Sequence, residues 1–138
     1  MNAVEIEEAV SELATQPFDA TDFPFAFLRA FGRKDVELQR LRKGNASDVP
    51  GGVLRRDSLH MATCAPGGTG AALAALQDSP KTAANRVKFI VAVDGVDVQA
   101  EECATGEVAA FPLAELGRHF GSFLPLAGNT FPVPRLTD

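Results

Sequence analysis

Apolar and polar positions alternate most clearly in residues 87–102, VKFIVAVDGVDVQAEE. Asp94-Gly95 separates two apolar runs, and this dipeptide favours a type I′ turn because both central residues of that turn need positive φ. The pattern therefore predicts a β-hairpin with a two-residue turn. Its register gives three apolar pairs on one face and an ion pair on the other: Val93 with Val96, Val91 with Val98, Phe89 with Ala100, and Lys88 with Glu101.

Apolar residues at helical spacing predict helices on both sides of this hairpin. The first helix spans residues 3–14, and the second begins at Thr21 or Asp22 and ends at Gly32. Further helices are predicted at residues 35–43, 69–77 and 112–120. Strands are predicted at residues 53–56, 59–65 and 107–111. This order predicts an α/β (α+β) domain in which helices flank a mixed sheet.

Two helices have a predicted inward face. Phe23, Phe27 and Phe31 recur every four residues, which is typical of a stripe that faces the core. Asp35 is predicted to cap the third helix. The residues of that helix expected to face inward are Val36, Leu38 and Leu41.

Length and composition indicate the size of the domain, its location and the state of its cysteines. A chain of 138 residues is long enough for one domain with a buried core. It has no apolar run of about 18 residues and no signal sequence, so we expect a cytoplasmic protein without a membrane span. Cys64 and Cys103 form no CxxC pair and are expected to be reduced, structural thiols. With the two histidines they match no zinc-binding pattern.

The net charge of −5 is unevenly distributed. Residues 29–56 hold eight of the thirteen basic residues and three acids, whereas residues 1–28 hold six acids and no Lys or Arg. Such a basic block is typical of a surface that contacts DNA phosphates, and also of a solvated helix face near the negative end of the helix dipole. The candidates for DNA-backbone contact are Arg33, Lys34, Arg40, Arg42, Lys43, Arg55 and Arg56.

Other candidate chemistry is incomplete. The glycine loop at residues 66–70 follows a strand and opens a helix, but it lacks the lysine and the spacing of nucleotide-binding motifs. Glu101 and Glu102 point to opposite faces of the predicted hairpin, which does not suit a shared cation. His60 and Cys64 lie four residues apart on a strand, roughly 13 Å by the strand rise, too far for a hydrogen bond. No catalytic residue and no metal ligand is therefore predicted.

Several segments resemble one known family in order and spacing. They are PFAFLRAFG (24–32), GGVLRR (51–56), LHMATCAPGG (59–68), KFIVAVDG (88–95) with AEE and TGE in 100–107, and HFGSFLPLAG (119–128). Together they resemble the N-terminal domain of MmeI-like (type IIL) restriction–modification enzymes. They are still more similar to that domain in the related class I SAM-dependent DNA methyltransferases. The resemblance covers about residues 17–128.

The resemblance implies a restriction-endonuclease-like, PD-(D/E)XK-like sheet with a degenerate active site. In nuclease-active members an Asp on one strand and Glu-x-Lys on the next hold Mg²⁺ and activate water. The matching positions here lie near Arg55 and at Thr63-Cys64-Ala65, so none of the three required side chains is present. Asp57 is the nearest carboxylate, and Mg²⁺ is expected only if a migrated motif makes the domain an active nuclease.

The resemblance also implies a partner. SAM and methyl transfer belong to the methyltransferase domain or subunit of the parent family, and this chain contains no NPPY motif. We expect a single domain over residues 1–138, with a loose tail at 129–138. It is expected to be an excised domain, a split-gene product or a truncated remnant.

Three functions stay open at this point. The first is a catalytically degenerate accessory domain that docks on a methyltransferase or contacts the DNA backbone. The second is a Mg²⁺-dependent DNA endonuclease that combines Asp57 with a carboxylate of the hairpin. The third is a protein-interaction module or remnant with no role on DNA. Only the second makes this chain alone an enzyme.

Overall fold

A five-stranded mixed sheet, whose strands lie side by side in the order in which they occur along the chain, organises the molecule. The computed structural model describes residues 2–127. The strands are β1 (Gly52–Arg55), β2 (Leu59–Thr63), β3 (Phe89–Val93), β4 (Asp97–Glu102) and β5 (Val108–Pro112). β2 and β3 run parallel, and the other neighbouring strands run antiparallel. Helices flank this sheet, so the predicted α+β class is confirmed.

Among the described residues, three helices come before the sheet in the chain, two connect its strands, and a 3₁₀ segment follows it. They are α1 (Ala3–Thr15), α2 (Phe23–Ala30), α3 (Asp35–Gly44), α4 (Thr69–Asp78), α5 (Pro80–Ala84) and a C-terminal 3₁₀ segment (Leu113–Ala127). A capping box begins α1, because the side chains of Asn2 and Glu5 each accept the other's backbone N–H. α4 connects β2 to β3, since parallel strands need a crossover. No helix within residues 2–127 is long and apolar enough to cross a membrane.

Both faces of the sheet are covered, and β3 shows why its sequence is apolar throughout. Phe89, Val91 and Val93 face a larger core formed with α1, α2, α3 and the 3₁₀ segment. Ile90 and Ala92 face a smaller core under α4. All five residues of β3 are buried, as expected for a strand between two layers.

The phenylalanine stripe of α2 faces the larger core, as predicted. Phe27 and Phe31 are fully buried, with ring centroids 5.0 Å apart. Phe123 of the 3₁₀ segment meets Phe27 edge-on at 5.6 Å and Phe89 at 5.2 Å. Aromatic rings therefore join α2, the sheet and the C-terminal segment.

The hairpin exists, but its predicted register is wrong by two residues. Val93 pairs with Val98 and not with Val96, so four residues separate this pair, and three of them (94–96) connect β3 to β4. The Asp94 carboxylate accepts the backbone N–H groups of Val96 and Asp97, and this local turn lengthens the connection. Val96 is therefore 60% exposed and does not join the apolar face.

The shift removes the predicted ion pair but preserves the buried face. Lys88 Nζ donates to the Pro125 carbonyl at 3.3 Å, and Glu101 accepts a hydrogen bond from Gln77 at 2.7 Å. A shift of two residues returns each side chain to the same face, because side chains alternate with a period of two. The remaining apolar residues thus face the core as expected: Phe89, Val91, Val93, Val98 and Ala100.

Three smaller predictions need correction. Leu38 is buried as predicted, but Val36 is 66% exposed, because residues two apart on a helix face nearly opposite sides. Lys34, not Asp35, is the cap residue of α3. The helix predicted at residues 112–120 is a 3₁₀ segment that continues to Ala127. The predicted tail at 129–138 lies outside the described residues.

Candidate functional site

A cleft of about 730 Å³ lies at the end of β2, where the resemblance locates the nuclease motif. We call it the Thr63 cleft. Its sheet side is lined by Gly51, Gly52, Val53, Thr63, Cys64 and Ala65, and Phe25 and Arg42 lie on its helical side. Ligands of open α/β sheets commonly bind beyond the carboxyl ends of parallel strands, and β2 ends here beside β3.

The structure brings only part of the predicted motif into this cleft. Thr63 and Ala65 line it, but Arg55 pairs with Leu59 at the other end of β2. Leu59 and Thr63 lie four positions apart on β2, roughly 13 Å by the strand rise. The residue opposite Thr63 is Gly51, directly before β1, whose carbonyl accepts the Thr63 N–H at 3.1 Å.

In the part of the chain that the structure describes, no residue that lines the Thr63 cleft is Asp or Glu. Its cation, Arg42, is paired with Asp22 and lies 4.0 Å from the centre of the Phe25 ring. The Thr63 hydroxyl donates to the Ala20 carbonyl at 3.0 Å. Within residues 2–127, no three or more His, Cys, Asp or Glu side chains are grouped to hold a metal ion.

Neither Cys64, which lines this cleft, nor the nearby Asp94 is available as a reactive group. Burial raises the pKa of the Cys64 thiol, and the charge of Asp94 raises it further, so the thiol stays protonated. Burial also raises the pKa of Asp94, but N–H groups of Asp97, Gly67 and Val96 outweigh it and hold that pKa below its usual value. The carboxylate of Asp94 is therefore charged but already occupied by three donors.

Asp57 does not reach the Thr63 cleft. It lies in the turn between β1 and β2, at the opposite end of β2. Its carboxylate is 3.6 Å from Arg86 and 4.0 Å from Arg56, and its N–H donates to the Asn85 carbonyl. Asp57 has a positive φ of 62°, which Asp tolerates better than most residues.

Two of the candidate DNA-contacting arginines are held inside the fold. Arg33 donates to the Leu126 carbonyl and to the Ser58 hydroxyl, both at 3.0 Å. Burial lowers the pKa of Arg33, which Glu37 partly offsets. Arg55 pairs with Glu37 at 3.1 Å. These two guanidinium groups and one carboxylate fasten α3 to β1 and the 3₁₀ segment.

The other candidates lie nearer to solvent. Arg40 and Arg56 line a second cleft of about 400 Å³ between α3 and β1, together with Arg55 and Glu37. We call it the α3–β1 cleft. Within residues 2–127, no hydrogen bond or ion pair engages the side chains of the exposed residues Lys34, Arg40 and Lys43. Arg42 is the exception on α3, because Asp22 holds it.

Sequence reasoning missed a polar network that fixes the loop between α3 and β1. His60 is fully buried; its Nε2 lies 2.7 Å from the Ser47 hydroxyl and its Nδ1 lies 2.9 Å from the Thr82 hydroxyl. The Asn45 side chain donates to the Gly52 carbonyl and accepts the Leu54 N–H. The Asn45–Ser47 spacing predicts a local turn, but the pairing with His60 has no sequence signal.

The fold and the Thr63 cleft define a class of protein: a small α+β domain with a cleft at its strand ends, lined within residues 2–127 by no carboxylate that could bind a metal ion. Residues 1–134 match the family model described as the N-terminal domain of MmeI. The chain belongs to this family of N-terminal domains from restriction–modification enzymes, so the predicted resemblance is confirmed. The comparisons found no matching curated protein and no matching solved structure.

Proposed function

We propose that this domain contacts DNA phosphates through the α3–β1 cleft and does not cut DNA. In this proposal it is an accessory module of a restriction–modification system. The observation that carries the proposal is the charge of that cleft. Arg40 and Arg56 are exposed on its two walls, and Glu37 is the one acid among the described residues that line it.

Pairing inside the cleft leaves a positive surplus. Glu37 lies 3.1 Å from Arg55 and 3.7 Å from Arg33, so its charge is already compensated. Arg56 shares the exposed carboxylate of Asp57 only loosely, at 4.0 Å. Exposed arginines of this kind suit phosphate oxygens, and such contacts give salt-dependent binding that is largely independent of DNA sequence.

The lining of the Thr63 cleft supports the proposal that the domain does not cut DNA. We propose that the sheet is a degenerate restriction-endonuclease-like core, and the parallel pair β2–β3 with its α4 crossover supports this. Mg²⁺-dependent cleavage needs carboxylates that hold the metal ion. Thr63, Cys64 and Ala65 supply none, and Asp57 lies at the other end of the strand.

Binding of a fluorescein-labelled duplex at low salt tests the DNA contact. Reversal of one cleft charge, Arg40→Glu, is expected to weaken binding about tenfold or more, because it replaces a phosphate contact by repulsion. The matched control is Arg118→Glu, which makes the same charge change at an exposed site in the 3₁₀ segment. Equal losses in both variants would reject the α3–β1 cleft as the DNA surface.

A second assay separates the competing functions. Supercoiled plasmid incubated with the full chain and Mg²⁺ is expected to stay intact. Metal-dependent nicking that disappears in Asp57→Ala would instead identify a nuclease with a migrated motif. No DNA retention at low salt, together with self-association, would favour the protein-interaction module.

A further inference from the structure

The outer edge of β5 is the most open backbone of the sheet. β5 is the last strand, and its inner hydrogen bonds are fixed by Glu102 N–H to the Glu107 carbonyl and Leu113 N–H to the Val96 carbonyl. Backbone groups alternate along an antiparallel strand, so those of Val108, Ala110 and Pro112 point away from β4. Among residues 2–127, the edge therefore offers two N–H groups and three carbonyls to an added strand.

A pocket beside this edge can take a side chain of that strand. It measures about 350 Å³ and is lined by Ala100, Ala109 and the contacting rings of Phe89 and Phe123. The two alanines leave this space because their side chains are small. Two carboxylates line its rim, those of Glu102 and Glu107.

The negative charge around the β5 edge favours a basic partner. Residues 89–117 contain six acids and no Lys or Arg. A second copy of β5 paired with this edge would bring its own acids against them, and like charges opposite each other destabilise a sheet. A segment that carries Lys or Arg on each side of an apolar residue matches the rim and the pocket.

We propose that the β5 edge binds an extended, basic and apolar segment of a partner polypeptide as a sixth strand. One apolar side chain of that segment enters the pocket over Ala109 and meets the contacting rings of Phe89 and Phe123. Its flanking cations pair with Glu102 and Glu107, which lie on the same face as the pocket. Main-chain hydrogen bonds to Val108 and Ala110 supply affinity, and the alternating side chains supply specificity.

A synthetic peptide tests the proposal directly. The probe is fluorescein-labelled Thr-Lys-Val-Leu-Val-Lys-Thr, in which the Leu and both Lys share one face; the comparison peptide has Glu in place of each Lys. Fluorescence anisotropy with the full chain is expected to show saturable binding of the basic peptide and at least about tenfold weaker binding of the acidic one.

Two substitutions locate the site. Val108→Lys adds a like charge at the edge and is expected to weaken binding of the basic peptide at least about tenfold. The control Val4→Lys makes the same change at a valine of similar exposure in α1 and is expected to leave binding within about twofold. Ala110→Pro removes an outward N–H without removing a bond to β4, so it is expected to abolish binding while the thermal midpoint is retained.

Three results would overturn the proposal: no saturable peptide binding, equal binding of both peptides, or a dimer of the chain alone that Val108→Lys dissociates. The last would identify a second copy as the occupant. DNA binding by Val108→Lys is expected to equal that of the unmodified chain. Failure of the β5 proposal is thus distinguishable from failure of the DNA proposal.

Discussion

Asp94 makes a long-range contact that the neighbouring sequence does not predict. The Asp-Gly pair predicts a turn, and a turn is present. The carboxylate of Asp94 also accepts the N–H of Gly67, 27 residues earlier, and so ties the hairpin to the loop after β2. A sequence pattern reports local turn chemistry, whereas this contact depends on the packing of β2 beside β3.

Replacement of Asp94 tests this contact. Asp94→Ala leaves three backbone donors without their acceptor at a buried site and is expected to lower the free energy of unfolding by about 2–4 kcal/mol. The control is Asp97→Ala, two residues from Gly95 and exposed, which is expected to change it by less than about 0.5 kcal/mol. Urea denaturation measures both; equal losses would contradict the assigned role.

His60 predicts a pH dependence of stability. The Thr82 hydroxyl donates to the Leu76 carbonyl, so it accepts from Nδ1–H of His60, and Nε2 then accepts from Ser47. This neutral ring suits its site, since burial lowers the pKa of His60 below its usual 6.5, although Asp48 partly opposes this. The unfolded chain therefore binds the proton first as pH falls.

Stability from His60 is present above about pH 6.5, the unfolded pKa, and is lost as pH falls through the lower folded pKa. The free energy of unfolding, measured by urea denaturation, is expected to decrease between about pH 7.5 and pH 5.5. In His60→Gln this decrease is expected to be smaller, whatever the absolute stability of the variant. An unchanged pH slope would show that His60 does not titrate as assigned.

At the scale of elements, the hydrophobic periodicity predicted which face of a strand is buried better than it predicted which residues pair across strands. The apolar face of the β3–β4 hairpin is correct except at Val96, because a shift of two residues leaves every paired side chain on its side of the sheet. The partners are wrong, because Asp94 lengthens the connection through its own hydrogen bonds. Burial fixes the face of a strand, but details of a turn fix its register.

The C-terminal segment shows a second limit. Leu113, Leu116 and Phe120 suggest an α-helix, yet the chain forms 3₁₀ turns up to Ala127. Gly117 and Gly121 weaken an α-helix, and Pro125 removes a backbone donor. Packing against α1 stabilises the segment instead, as the two elements make extensive contact.

Gly117 tests the fit between α1 and the 3₁₀ segment. A Cβ at this position would lie 2.3 Å from the Ser11 hydroxyl oxygen, so Gly117→Ala is expected to cost about 1–3 kcal/mol in urea denaturation. Gly121→Ala is the control, because a Cβ there meets nothing within 4 Å. Ser11→Ala is expected to recover part of the loss; no recovery would mean that the two elements do not meet as described.

For the whole molecule, the sequence predicted the fold class and the family. It did not predict which basic residues are held inside the fold and which lie on the open cleft. Arg33 and Arg40 are equal candidates in sequence. Only the fold shows that Arg33 is held by Ser58 and Leu126, whereas Arg40 lies on an open cleft. Long-range contacts of this kind carry no signal in composition or spacing.

Charge is divided between the two edges of the sheet. The basic α3–β1 cleft lies beside β1 at one edge of the sheet. The acidic strands β4 and β5 form the opposite edge. An asymmetric field of this kind orients a protein on a polyanion. The proposed DNA surface and the proposed peptide-binding edge are therefore expected to function without overlap.

The salt dependence of DNA binding tests the central claim most directly. The measurement is the slope of log K against log salt concentration for the unmodified chain, Arg40→Ala, Arg56→Ala and the control Arg118→Ala. Each cleft variant is expected to reduce the magnitude of the slope by about 0.9, the value for one lost phosphate contact, and the control to leave it unchanged. Identical slopes for all four proteins would contradict the proposal that the α3–β1 cleft contacts DNA.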